Sequence, residues 1–215
     1  QAHAIVLTPR NAGGNCNWCV VADITFRYNR VSNAAGFMNV LGADQYSVGG
    51  SLGPAQPAQR FSVHDNIIED VDYNKWGAGQ SSNGRFIQIV MGSGSPMIDK
   101  LNFFHNTFVG NGSACNAFLT FATNSTAVKM TNFVVRDNIF PACAYSISGD
   151  YGMDLNAVTN VSSGAYTVTN NLFVNWTEYG TPVSPLASYS FTAKANRTLT
   201  ANFIPDSTTV TFDFD

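Results

Sequence analysis

An all-β fold of stacked chain turns with three short parallel sheets is predicted by three observations. An eight-residue pattern recurs around a fixed Asn, a second strand register recurs between its copies, and no segment of the 215 residues sustains a helical period. The pattern reads ITFRYNRV (24–31), FSVHDNII (61–68), LNFFHNTF (101–108), FVVRDNIF (133–140) and YTVTNNLF (166–173).

The fixed residues are Asn29, Asn66, Asn106, Asn138 and Asn171, separated by 37, 40, 32 and 33 positions, so the loops vary while the pattern holds. Before each Asn, apolar residues alternate: Ile24/Phe26, Phe61/Val63, Leu101/Phe103, Phe133/Val135 and Tyr166/Val168. That period of two, filled with β-branched and aromatic types, is the signature of a half-buried strand. An Asn at the strand's end suits a tight bend, because it tolerates left-handed backbone angles and its amide bonds backbone groups. With parallel strands stacked ~4.8 Å apart, the five amides are expected to form a ladder, and each layer buries its face only against its neighbours, which is the logic of a solenoid.

The second register is AHAIVL (2–7), GFMNVLG (36–42), GRFIQIVMG (84–92), CNAFLTF (115–121) and CAYSISG (143–149). It supplies the third strand of each layer. AHAIVL aligns with that third strand, so the first coil is expected to be incomplete and to leave an open edge, a template for strand pairing. The alternating tail STTVTFDFD (207–215) is a strand that could cover such an edge on another subunit. Self-association through the open N-terminal coil and the C-terminal strand is therefore expected, and heterologous contact of that kind propagates into filaments.

Charged residues make up only 12% of the chain and the net charge is −3. Without a basic patch to neutralise phosphates, nucleic acid is excluded as a partner. No apolar run approaches the ~18 residues of a membrane span. The five Asn-x-Ser/Thr sequons, beginning at Asn111, Asn124, Asn160, Asn175 and Asn196, are no more than the Asn and Ser/Thr content produces by chance.

Of the four cysteines, Cys115 and Cys143 hold the same place in aligned strands, and stacking brings them within disulfide range; the pair suits either a bridge or two buried thiols. Cys16 and Cys19, in CNWC, suit a small loop disulfide or free thiols, since no second Cys or His pair lies at zinc-site spacing and no metal is expected. Disulfides favour an extracellular or cell-surface location.

Two surfaces carry candidate chemistry. If Met38/Val40, Ile87/Ile89 and Leu119/Phe121 face the core, the opposite face presents a polar column of Asn39, Gln88, Thr120 and Ser148 beside an aromatic column of Phe37, Phe86 and Phe118. Amides and hydroxyls next to flat rings suit a sugar, and the neighbouring loop EDVDYNKWGAGQSSNG (69–84) adds Asp70, Asp72 and Trp76, with Arg85 after it. The same rings equally suit packing beneath loops. On the adjoining face, the position two before each ladder Asn holds Arg27, His64, Phe104, Arg136 and Thr169, and the position one before holds Tyr28, Asp65, His105, Asp137 and Asn170. A cluster of His64, Asp65, His105, Arg136 and Asp137 suits acid/base work, and it suits equally a solvated surface with local ion pairs.

The Asn ladder and three-strand layers resemble the right-handed parallel β-helix superfamily, which includes pectate lyases, polygalacturonases and phage tailspikes. HAIVLTPRN, WCVVADITFRYNRVSNAAGFMNVLG, FSVHDNIIEDVD, GRFIQIVMG, HNTFVG and DNIFPACAYSISG are similar to a group of uncharacterised secreted bacterial β-helix repeat proteins. The resemblance implies a β-helix over 1–171 and brings no assigned reaction with it. FVNWTEYGTPVSPLASYSFTAKANRTLTANF (173–203) resembles the end of an internalin-type B-repeat of bacterial surface proteins, which implies a β-rich extension or partial surface-repeat module over 172–204 and a tail or strand over 205–215. The Asn-Thr-Asp, Asp-Asp and Gly-His-Gly elements of polygalacturonases are absent. Asp70, Asp72 and Arg85 are the one grouping that could imitate the calcium-binding Asp cluster and Arg base of pectate lyases.

Together these features point to a glycan-binding or self-assembling extracellular β-solenoid without a cofactor. A polysaccharide lyase or glycoside hydrolase with its groove on the Phe37/Phe86/Phe118 face, with Ca2+ in the lyase case, is the alternative.

Overall fold

The computed structural model describes residues 3–9, 14–42, 55–77, 84–91, 98–110, 115–123, 130–141, 143–162, 166–178, 181–184 and 199–205; at Gly110 and beyond Leu172 only the backbone is described. Residues 206–215, with most of the expected terminal strand, and four of the five sequon asparagines lie outside the described residues or side chains.

Among the described residues the chain is all-β apart from two short helices, and its strands come in successive sets of three. The first set is β1 (His3–Leu7), β2 (Ala22–Arg27) and β3 (Arg30–Val31), and the second is β4 (Gly36–Leu41), β5 (Gln59–His64) and β6 (Ile67–Val71). After α1 (Tyr73–Trp76) come β7 (Arg85–Met91), β8 (Ile98–Phe104) and β9 (Thr107–Gly110). The fourth set is β10 (Ala117–Thr123), the split strand β11 (Met130–Thr131) and β12 (Phe133–Arg136), and β13 (Ile139–Pro141). The last comprises β14 (Tyr145–Gly149), the short β15 (Gly152–Met153), α2 (Leu155–Val161), β16 (Tyr166–Thr169) and β17 (Leu172–Glu178), followed by β18 (Thr181–Ser184) and β19 (Leu199–Pro205).

Three sheets take these strands in rotation. The first runs β1-β4-β7-β10-β14, the second β2-β5-β8-β12-β16 and the third β3-β6-β9-β13-β17, with parallel pairing throughout. Inward residues from all three meet in one core, in which Met38, Val40, Phe61, Val63, Ile68, Ile87, Ile89, Phe103, Leu119, Phe121 and Phe133 are at most 1% exposed.

The corners explain the recurring Asn. Each lies between a second-sheet and a third-sheet strand. Asn66 donates through Nδ2 to Asn106 Oδ1 at 2.9 Å, Asn106 to Asn138 Oδ1 at 3.0 Å and Asn138 to Asn171 Oδ1 at 2.9 Å, while Asn29 begins the series with a 3.1 Å bond to Asn66. The same oxygens accept the backbone N–H of the preceding ladder residue. The left-handed bend falls one residue earlier than the sequence suggests, on Tyr28, Asp65, His105, Asp137 and Asn170, whose φ angles lie between 53° and 59°. Asn and Asp are among the L-residues that visit this region most readily, which accounts for three of these five positions without any chemistry.

Both expected bridges are disulfides: Cys16–Cys19, and Cys115–Cys143 with a Cα separation of 4.8 Å between adjacent layers. The second closes a sequence separation of 28 and the first only 3, so chain entropy assigns about 3–4 kcal/mol of stability to Cys115–Cys143 and about 2 kcal/mol to Cys16–Cys19. Replacing Cys115 and Cys143 with Ala is expected to lower the urea midpoint by the larger amount, and replacing Cys16 and Cys19 by the smaller.

At the C-terminal side the parallel order changes. β17 continues the third sheet along Leu172–Val174 and is flanked by antiparallel β18 and β19, and β15 turns back antiparallel on β14. Helix α2 buries Ala157, Val158 and Val161 in the core next to β14. Among the described residues, the last strands of the first and third sheets are thus partly or wholly covered by the chain itself. No helix of the described residues is long and apolar enough to cross a membrane.

Candidate functional site

The aromatic column expected on the surface lies in the core. Phe37, Phe86 and Phe118 are 0–1% exposed, and their rings pack on Phe26, Phe108 and Phe140 from the other two sheets; Phe118 stacks on Phe140 with centroids 3.4 Å apart. The reason is the corner. These residues sit at the strand entries, where two successive side chains, such as Phe37 and Met38, both turn inward and the period of two fails.

The polar column does face away from Met38 and Val40, in register across β4, β7, β10 and β14. Asn39, Gln88 and Thr120 are nonetheless buried, and Thr120 Oγ1 lies 3.2 Å from Ser148 Oγ. Among the described residues, the phenylalanine rings line no open groove.

Asp70 and Asp72, grouped with Arg85 by the sequence, are each engaged within their own segment. Asp70 accepts from Lys75 Nζ at 2.8 Å and Trp76 Nε1 at 3.2 Å. Asp72 caps α1, its Oδ1 accepting from the Asn74 and Lys75 backbone amides. Lys75 Nζ lies over the Trp76 ring, 4.6 Å from its centre. Each carboxylate is used locally, as an N-cap or in an ion pair.

The second sheet's outer face does assemble the other cluster. Parallel register sets Arg27, His64, Phe104, Arg136 and Thr169 side by side on β2, β5, β8, β12 and β16. The His64 imidazole stacks on Phe104, with centroids 4.6 Å apart and planes 6° from parallel, and the Arg136 guanidinium lies 4.8 Å from the same ring on the neighbouring strand. Arg27 lies over the Tyr28 ring at 5.3 Å. Alongside runs a row in which imidazoles alternate with carboxylates. His64 Nδ1 is 2.7 Å from Asp65 Oδ2, His105 Nδ1 is 3.7 Å from Asp65 Oδ1, and His105 Nε2 is 3.6 Å from Asp137 Oδ2. Arg136 closes the row with an ion pair to Asp137.

Burial raises the Asp137 carboxyl, but hydrogen bonds from Arg136 and Asn170, with the charges of Arg136 and His105, outweigh it and hold the pKa below the ordinary value. The two nitrogens of His105 point to different carboxylates, so Asp65, His105 and Asp137 cannot close on one ion, and no metal-ligating group of three occurs among the described residues. Asp65 orients His64 and leaves Nε2 as its remaining polar atom. Arg27 makes no ion pair among the described residues. The row can therefore present hydrogen-bond donors to a ligand at strand spacing.

Arg27, Tyr28 and Phe104, which the sequence placed on this face but left out of the candidate cluster, belong to it. Their signal was the register itself. Trp18, inside CNWC, was also passed over and is 66% exposed.

A separate titratable group sits at the core's first layer. His3 faces Gly36, and neither ring nitrogen has a hydrogen-bond partner. Burial first, then nearby positive charge including Arg85, lowers its pKa from 6.5 to about 4. The unfolded chain then binds this proton at a higher pH than the folded chain does. Stability is full above about pH 6.5 and falls as pH drops to about 4. Urea midpoints measured across this range should slope in the native chain and flatten in His3→Gln; parallel profiles would contradict the assignment.

No protein-family model, curated protein or solved structure matches the chain.

Proposed function

We propose that residues 1–171 form a right-handed parallel β-helix that works outside the cell or at its surface and binds an extended glycan along the outer face of the second sheet. The carrying observation is the in-register row of Arg27, His64, Phe104 and Arg136, with Tyr28 and the Asp65–His105–Asp137 row beside it. Strands repeat every ~4.8 Å, so the row offers guanidinium and imidazole donors at intervals along one line, as a linear polymer with hydroxyl and carboxylate groups requires. Guanidinium suits carboxylate through its paired donors, so an acidic glycan is the preferred ligand class.

The three sheets filled in rotation and the Asn ladder support the solenoid reading. Two disulfides support an oxidising location. Binding is favoured over catalysis because the face is an open sheet and the proposed phenylalanine groove is closed.

Arg27→Ala with Arg136→Ala is expected to weaken binding to uronate-containing polysaccharides at least tenfold in affinity electrophoresis, with retained far-UV circular dichroism. Unchanged binding by that variant, or failure of the native chain to bind any acidic polysaccharide, would remove the reading. Appearance of unsaturated or reducing ends during incubation would instead move it to the lyase or hydrolase class.

A further inference from the structure

We propose that the Cys16–Cys19 loop is a second contact point for carbohydrate, at which the Trp18 indole receives the face of an uncharged pyranose. This rests on the glycan-binding reading for its ligand class and uses different residues. Trp18 is 66% exposed, an uncommon state for a side chain that normally buries most of its surface. Three other exposed or half-exposed rings are already covered: Arg27 lies over Tyr28, Lys75 over Trp76, and His64 and Arg136 flank Phe104; Tyr145 and Tyr151 are less exposed than Trp18, at 41% and 39%. Among the described residues, no ring or cation lies over Trp18.

The loop is held rigid. The disulfide joins its ends, Cys19 N donates to Cys16 O at 3.1 Å, and the following layer braces it through Gln56 N to Cys19 O at 2.8 Å and Gln56 Nε2 to Asn17 O at 2.6 Å. The conformational cost of presenting the ring is thus met before any ligand arrives. Residues 14–20 carry no charge. The half-exposed Val20, two residues on, extends the apolar surface, Asn15 is exposed three residues earlier, and Gln56, bonded to the loop through its backbone N and Nε2, sets an exposed amide-bearing side chain beside it. An apolar face edged by amides matches the C–H face and hydroxyl rim of a neutral sugar. It does not match an acidic group, which the arginine row takes.

The test titrates neutral gluco-, manno-, galacto- and xylo-oligosaccharides into the full chain, read by intrinsic fluorescence and calorimetry. Saturable binding to at least one series is expected, at least tenfold weaker in Trp18→Ala and unchanged in Arg27→Ala/Arg136→Ala. Equal binding by Trp18→Ala, or no neutral oligosaccharide bound by the native chain, overturns the inference. Acidic-polysaccharide binding that persists in Trp18→Ala leaves the arginine row standing in either case. Sedimentation of the same variants identifies the competing occupant: Trp18-dependent self-association without sugar binding would assign the ring to a second copy and overturn the proposal.

Discussion

Asn138→Ala is expected to lower the unfolding free energy by about 3–5 kcal/mol, since each buried group left without a partner costs about 1–3 kcal/mol. Asn138 Oδ1 accepts from the Asn106 backbone N–H at 2.9 Å and from Asn106 Nδ2 at 3.0 Å, and Asn106 is 1% exposed. Asn138 Nδ2 donates to Asn171 Oδ1 at 2.9 Å, Arg136 O at 2.9 Å and Phe103 O at 3.1 Å. Alanine strands the Asn106 backbone N–H where water cannot replace the lost acceptor, although Asn106 Nδ2 keeps Val63 O and Phe104 O, and it removes the Nδ2 donor from Asn171 Oδ1, Arg136 O and Phe103 O. Asn138→Asp keeps the acceptor, loses the donors and buries a charge, so it offers no rescue. Asn29→Ala, at the less buried first rung, should cost far less. Urea denaturation of the three variants checks the order; equal losses for Asn29→Ala and Asn138→Ala would contradict a cooperative buried ladder.

Phe118→Ala is expected to cost about 3–5 kcal/mol, the usual range for deleting a buried aromatic side chain. The ring is 1% exposed, stacked on Phe140 and edge-on to Phe108 at 4.9 Å. A phenylalanine lining a surface groove would change stability by no more than about 0.5 kcal/mol and would affect ligand binding instead. Thermal unfolding and glycan binding measured on the same variant separate the two roles. Large destabilisation with undiminished binding in the folded fraction is the outcome that follows from the core position.

The strands and the ladder were legible because they rest on local repetition. Alternation at Phe61/Val63 or Phe133/Val135 reports a strand, and a fixed Asn after each reports a shared corner. Alignment also paired Cys115 with Cys143 across 28 residues, because one place in a stacked repeat is one place in space. The phenylalanine column was misplaced because parity was carried one residue too far, into the corners where Phe37, Phe86 and Phe118 turn inward. The left-handed bend was assigned to the ladder Asn rather than to its predecessor, since sequence type alone does not separate two adjacent residues that both suit a turn.

What the amino-acid sequence determined by itself was the repeating unit: which residues alternate, where the chain turns and which positions recur. What only the tertiary structure decided was how side chains at equivalent places of successive units meet. His64 stacked on Phe104, Arg136 over the same ring, and His105 between two carboxylates are contacts between residues 32 or 40 apart; the repeat puts them in one column, and only the packing sets their orientation. The exposure of Trp18 belongs with them, because burial depends on what the rest of the chain leaves uncovered, and periodicity within one strand carries no record of that.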